Sequence, residues 1–431
     1  MDETKSVPKL RFASYSNEWT SYKLGDILTF YSTNSFSREK LNYDGGSVKN
    51  IHYGDIHTKY PTILSLRSNN EVPYINNDVD LSKFKKDQYL QNGDLIIADA
   101  SEDYEDIGKA IEVKDIGDEK VLAGLHTILA RDENKIVVNG FKAYLFSTNN
   151  LKTKIKVIAN GISVLGISKN NLSKLTVNIP SEEEQQKIVS FISSIDKKIE
   201  LLEQKHHFYL DFKKYLMQQI FAQKLRFDFD DEWKNIPFKR ILKEINEKTT
   251  VNNQHEILSS TKEGIFTQKE YFADRNVASK DNTGYKILRK NQIVLSPQNL
   301  WMGNINVNTE FDIGIVSPSY KIYETTDLVD INYFKHVIKL PRLIYEYTCA
   351  SEQGASIVRR NLNKQLFNEI TIKVPSSDEQ KKIGNLLDAC DEKIKNIDKN
   401  IQDMKEFKKG LLQQMFDNMP LLFKFNIIIN E

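Results

Sequence analysis

The sequence predicts an α+β protein in which two mixed α/β domains are separated by two long helices packed as an antiparallel coiled coil, with approximate two-fold symmetry. Three observations carry this reading: an internal repeat, a heptad-like apolar stripe inside each copy of it, and short β-rich runs between the copies.

The repeat is read first. Pro180-Ser181-Glu182-Glu183-Glu184-Gln185-Gln186-Lys187-Ile188 returns 195 positions later as Pro375-Ser376-Ser377-Asp378-Glu379-Gln380-Lys381-Lys382-Ile383, and the register holds without a gap to Leu216-Met217-Gln218-Gln219-Ile220-Phe221, matched by Leu411-Leu412-Gln413-Gln414-Met415-Phe416. The entry of each half repeats too: Lys9-Leu10-Arg11-Phe12 before Glu18-Trp19 is echoed by Lys224-Leu225-Arg226-Phe227 before Glu232-Trp233. Between these motifs the two halves differ almost throughout. The expected layout is a first domain over 1–178, a helix over 179–223, a second domain over 224–373, a helix over 374–418 and an apolar tail over 419–431.

The repeated segments open with proline, a hydroxyl cap and acidic residues, which suit the positive end of a helix. Apolar residues then recur in steps of four and three: Ile188, Ile192, Ile195, Ile199, Leu202 and Leu216 in the first copy, and Ile383, Leu387, Ile394, Ile397, Ile401 and Leu411 in the second. Such a narrow stripe needs a partner helix to cover it. At about 1.5 Å per residue, some 40 residues make a rod of roughly 60 Å.

The intervening segments carry short β-rich runs, Ile51–Ile56, Gly93–Ala98 and Gly124–Ala130 in the first domain, Gln292–Ser296 and Gly314–Ser317 in the second, with a helical stretch over Ile331–Tyr347. The pairs Gly54-Asp55 and Gly93-Asp94 read as turns rather than as general acids. Seven histidines occur, without paired cysteines or a His-Glu-x-x-His arrangement, so no metal site is expected. Phosphate-binding and dinucleotide glycine loops and a nucleophile-elbow serine are missing as well, which disfavours an enzyme.

Composition sets outer bounds. The 431 residues are 40% hydrophobic and 28% charged, enough for more than one core. The two cysteines, Cys349 and Cys390, stand far apart, and no apolar run reaches the roughly 20 residues that span a bilayer. A cytoplasmic protein without a membrane partner is expected. A net charge of +1 does not by itself announce a nucleic-acid binder.

The tandem Pro-x-x-x-Glu-Gln-x-x-Ile openings at Pro180–Ile188 and Pro375–Ile383, the Leu-Gly-Asp-Ile entry at Leu24–Ile27 and the Leu-Leu-Gln-Gln-Met-Phe close at Leu411–Phe416 resemble the specificity (S) subunits of type I restriction-modification systems. The resemblance implies two target-recognition domains, each reading one half of a split double-stranded DNA sequence. It implies helices that fix the unread gap and dock two methyltransferase subunits, with restriction subunits joining through the complex. S-adenosylmethionine and the adenine-methylating tetrapeptide would belong to the methyltransferase subunits, and this chain would bind no cofactor. The alternative is a coiled-coil adaptor whose domains bind proteins; a self-sufficient methyltransferase is the third possibility. The tail after Phe416 departs from the family pattern.

Side chains that read base edges are bidentate or polar donors. The candidates are Lys49, His52, His57, Lys59, Ser101 and His126 in the first domain. The second domain offers Ser260, Thr261, Lys262, Gln268, Lys269, Lys280, Gln298, Asn299 and Asn304, with Trp301 placed to stack on or wedge against a base.

Overall fold

The computed structural model describes residues 8–67, 71–272, 279–353 and 360–416; the expected tail over 419–431 lies outside them. The chain forms two compact units, Met1–Glu203 with Lys399–Glu431 and Gln204–Asp398. Each unit therefore holds one globular segment and one half of each long helix.

Every globular segment is fastened shut by its own ends. Thr20–Lys23 pairs antiparallel with Thr176–Ile179 in the first unit, and Lys234–Pro237 pairs antiparallel with Thr371–Val374 in the second. The strand after the entry motif thus lies against the strand that feeds the long helix. A one-turn helix follows it in both cases, Leu24–Ile27 and Phe238–Ile241.

The first unit is built on a five-stranded sheet in the order Thr29–Tyr31, Thr127–Arg131, Leu95–Ala98, Ala110–Lys114, Ile63–Ser65, antiparallel except for the last pair. A four-stranded sheet, Val121–Ala123, Lys49–Ile51, Tyr74–Ile75, Leu41–Asn42, stands beside it. Gly93 turns the chain into the strand Leu95–Ala98 with φ +88, where a Cβ would fall 2.2 Å from the Asn139 side chain. Asp94 is buried and takes the Arg131 guanidinium at 2.7 and 2.8 Å, a structural pair, as the turn reading requires.

The second unit is smaller in sheet content. Its four-stranded antiparallel sheet runs Leu242–Ile245, Lys321–Thr325, Ile293–Leu295, Ile305–Val307, and a separate antiparallel pair joins Lys286–Arg289 to Ile313–Val316.

Three local expectations need correction. The run Ile51–Ile56 is a strand only to Ile51; His52 then accepts the Gly54 N–H at 3.2 Å and starts the helix Tyr53–Thr58, so Gly54-Asp55 lies in a helical turn. Ile331–Tyr347 is two helices, Ile331–Val337 and Pro341–Cys349, because Pro341 begins a helix and cannot continue one. The hydroxyl caps of the long helices are weak: Ser181 Oγ is 3.5 Å from the Glu184 N–H, and Ser376 Oγ is buried without a hydrogen bond.

What holds those helix starts is the Glu-Gln pair of the repeated motif. Gln185 accepts the Val138 N–H at 2.8 Å and donates to Pro180 O at 3.1 Å; Gln380 accepts the Asp330 N–H at 2.8 Å and donates to Pro375 O at 3.0 Å. Glu184 receives Arg11, and Glu379 receives Arg226 together with the Trp233 indole N–H. Lys187 covers the Phe12 ring and Lys382 the Phe227 ring. The entry motif and the helix motif recur together because they are the two sides of one contact.

The long helices, Glu182–Phe221 and Ser377–Phe416, are 40 residues each. Within the first unit, Ile188 and Ile192 share a buried cluster with Leu412 and Met415, while Ile195 and Ile199 pack with Leu411, Met404 and Phe407. Within the second, Leu216 and Ile220 pack with Ile383, Leu387 and Cys390. In each unit the two halves run antiparallel, as the stripe predicted. Ile397 and Ile401 are buried too, and Leu202 and Ile394 are half-buried. Lys408 pairs with Asp196 in the first unit and Lys213 with Asp391 in the second, the same two repeat positions with the helices exchanged.

Candidate nucleic-acid interface

In the first unit one short helix organises the polar candidates. Arg38 grips the buried Asp55 through two hydrogen bonds of 2.8 Å, and Lys59 adds a contact of 3.3 Å, which fixes the helix Tyr53–Thr58 from beneath. The Tyr53 ring then meets three imidazoles: His52 at 4.7 Å, His126 at 5.2 Å and His57 at 5.8 Å between centroids. His126 is held in the left-handed region at φ 53, half exposed, with Asp99 3.6 Å away. Burial pushes the Asp99 carboxyl above its ordinary range, with His126 and Lys169 pulling the other way. Lys59 stays exposed and donates to the Tyr43 hydroxyl at 3.1 Å. His126 thus meets Tyr53 with its ring half exposed and Lys59 extends to Tyr43 beside them, whereas His57 is largely covered, its Nε2 3.2 Å from Ala100 O and its Nδ1 buried.

Three first-domain candidates are built into the fold instead. Lys49 is buried, paired with Glu119 at 3.0 Å and lying over the Tyr74 ring. His52 is buried as a helix cap, and burial, followed by the Arg38 charge, lowers its pKa. Ser101 is buried and accepts the Asp103 N–H.

The second unit divides in the same way. Ser260, Thr261 and Asn304 are buried: Ser260 Oγ donates to Asn304 Oδ1 at 2.8 Å, Asn304 returns a bond to Ser260 O, and Thr261 Oγ1 accepts inside the turn to Gly264. These bonds fasten the hairpin Leu258–Ser260/Ile265–Thr267 beside the strand Ile305–Val307. Lys339 completes the join by donating to Lys262 O at 3.1 Å and Gly303 O at 2.9 Å. Burial pushes its ammonium down to about 8.

The turn carrying Lys262 and the turn carrying Gln298, Asn299 and Trp301 are thereby held together. Gln268 and Lys269 follow on the short helix Gln268–Phe272, where Tyr271 stacks on Phe266. Lys280 is exposed in another turn, its carbonyl accepting from Asn252. Trp301 is half-buried, with the Arg360 guanidinium 4.4 Å above its ring.

Sequence reasoning missed Arg38, Tyr43, Tyr53, Lys339 and Arg360. Tyr53 lies between two histidines that were singled out, and Arg360 belongs to a tandem arginine pair; those were the available signals.

One further titratable cluster joins the second domain to its helices. His336, Asp388 and Asp391 offer ligand atoms within 4.8 Å of one another. Their carboxylates also pair with lysines, Asp388 with Lys335 at 2.7 Å and Asp391 with Lys213 at 2.5 Å, so the group forms an ion network.

Comparison with known proteins gives this architecture its class. Residues 16–207 match the model of the type I restriction modification DNA specificity domain. The type I restriction enzyme MjaVIII specificity subunit of Methanocaldococcus jannaschii is 29% identical over 133 residues, 30% of this chain and 29% of that subunit, so the match spans less than a third of the relative's length. Among solved structures, the type I restriction-modification S subunit from M. genitalium covers 96% of this chain and 100% of its own at a TM-score of 0.56 and 15% identity. A chain from a study of complex assembly and conformational transition of the type I R-M system covers 93% of this chain and 98% of its own, with a TM-score of 0.52 and 14% identity. The fold is that of type I specificity subunits. Residues 16–207 thus resemble the type I restriction modification DNA specificity domain in sequence, and the chain as a whole shares the fold of type I specificity subunits. No helix among the described residues is long and apolar enough to cross a membrane.

Proposed function

We propose that this chain is the DNA-reading subunit of a type I complex and that residues 1–178 and 224–373 each read one half of an asymmetric, bipartite target. The observation that supports this most is the contrast between repeated and unrepeated parts. The Arg-Glu and Gln contacts at the helix starts recur in both units, while the polar groups near solvent do not: His126 beside Tyr53 and Lys59 beside Tyr43 in one, Trp301 with Arg360 and Gln298 in the other. Unlike readers imply unlike half-sites, whereas a symmetric dimer reads a palindrome.

The helices over 179–223 and 374–418 set the unread gap and dock two methyltransferase subunits; like helices offer like surfaces, hence two copies of one partner. Restriction subunits join through the complex. The reader positions DNA and transfers no methyl group itself, and S-adenosylmethionine is held by the methyltransferase subunits. Of the candidates, Lys59, His126, Lys262, Gln268, Lys269, Lys280, Gln298, Asn299 and Trp301 make up the DNA face, with His57 bracing it from below. Lys49, His52, Ser101, Ser260, Thr261 and Asn304 shape it from within.

The test is methyl transfer with added S-adenosylmethionine. The purified chain alone gives none, and the chain assembled with its methyltransferase subunits methylates adenines in a two-part sequence with a fixed gap. Methylation by the chain alone, or an unchanged target when the chain is replaced by another specificity subunit, contradicts the reading.

A further inference from the structure

The arginines of the described residues are mostly matched by carboxylates. Arg11, Arg38, Arg131, Arg226 and Arg289 each hold an Asp or Glu within 3.0 Å, and Arg342 has Glu346 at 4.0 Å. Arg360 differs. It is half-buried, no acidic group among the described residues lies within ion-pair distance, and its Nε is buried without a hydrogen-bond partner. A guanidinium removed partly from water and left without an anion is costly unless something else meets it.

What meets one face is Trp301, whose ring lies 4.4 Å from the guanidinium carbon. The pair is rigidly mounted. The Arg360 N–H donates to Gln298 O at 3.1 Å, Thr348 Oγ1 donates to Trp301 O at 3.1 Å, and the turn closes at Gly303 with φ 86, where Lys339 also donates. The ring covers one side of the guanidinium and Nε is buried, which leaves the terminal nitrogens to meet an acceptor pair. Gln298, exposed on the same turn, stands beside it.

We infer that Arg360, held over the Trp301 ring, is a specificity-determining residue that donates to the O6 and N7 acceptors of a guanine in the half-site read by the second unit. This deepens the proposed function and rests on it. A guanidinium fork matches the two coplanar acceptors of a guanine edge and also a phosphate; its place beside Gln298, a second side chain able to read a base edge, points to the base, and the salt dependence below separates the two. No other candidate of the second domain combines a bidentate donor with an aromatic platform.

The experiment assembles the chain with its methyltransferase subunits and maps methylated adenines for the wild type, Arg360→Gln and Arg360→Lys. The expected result is a guanine at one position of the second half-site, with discrimination there falling about 5- to 150-fold in both variants and the first half-site unchanged. Arg360→Lys keeps the charge and remains informative if the glutamine variant fails to fold. A second half-site without guanine, or an unchanged motif in both variants, overturns the inference. So does a uniform loss of binding at all sequences with a shallower salt dependence, which marks a phosphate contact. In each of those cases the two-part target stands; a target with no half attributable to the second unit overturns the underlying proposal as well.

Discussion

Arg11 and Glu184 meet through two hydrogen bonds of 2.6 and 2.7 Å with the carboxylate almost wholly buried, and the pair binds the entry segment of the first unit to the first turn of its long helix. Arg226 and Glu379 repeat it at 3.0 and 2.8 Å. Each carboxylate also sits at a helix start, where the dipole favours negative charge.

Removing one partner of a buried pair strands the other. Glu184→Ala is expected to lower the stability of the first unit by about 3–5 kcal/mol, and Glu379→Ala to act on the second, where it also frees the Trp233 N–H. Chemical denaturation followed by hydrogen exchange in each unit checks this; a loss below roughly 1 kcal/mol, the worth of an exposed pair, contradicts it.

The helices approach their domains closely at one repeat position. A Cβ on Gly384 would lie 3.1 Å from the Asn332 backbone, whereas the matching Val189 faces Gly140. The small residue has changed sides between the copies. Gly384→Val is expected to cost about 1–3 kcal/mol by overpacking, read as a fall in melting temperature; a variant as stable as the parent shows that the contact yields freely.

Acid is expected to act on the second unit through His336. Burial lowers its pKa, against the opposing hydrogen bond of 2.7 Å to Asp388, so the unfolded chain binds this proton more readily than the native one. Stability then falls as pH drops below the ordinary imidazole value of about 6.5. Lys213, Lys335, Asp388, Asp391 and Cys390 face the same spot, yet removing the imidazole isolates its share. His336→Gln should flatten the stability profile between about pH 7 and 5.5; an identical slope in both proteins rules out this group.

On the DNA side, His126→Ala and Lys59→Ala address the first half-site. His126 is expected to affect discrimination at one base, by about 1–3 kcal/mol. Lys59 is expected to weaken binding at all sequences alike and to reduce the salt slope by about one. Fluorescence anisotropy across single-base variants of the target, at several salt concentrations, separates the two; equal effects of both variants on every sequence contradict the assignment of His126.

The long helices and their antiparallel packing were legible because the repeat and its 4-3 stripe are local patterns, and the Glu-Gln motif flagged the contact that closes each unit. The proposed base-reading face was legible only in part. Ser260, Thr261 and Asn304 have the polar types that read DNA, yet they face inward and bind one another, a matter of strand register that one sequence does not disclose. Arg360 escaped notice for the opposite reason. Its platform, Trp301, lies 59 positions earlier, and only tertiary pairing brings guanidinium and indole together.

The most direct test of the central claim replaces residues 20–178 with the matching segment of a relative and maps adenine methylation by the assembled complex. The account predicts a new first half-site, with the second half-site and the gap retained. A target changed in both halves, or in neither, contradicts the assignment of one reader to each unit.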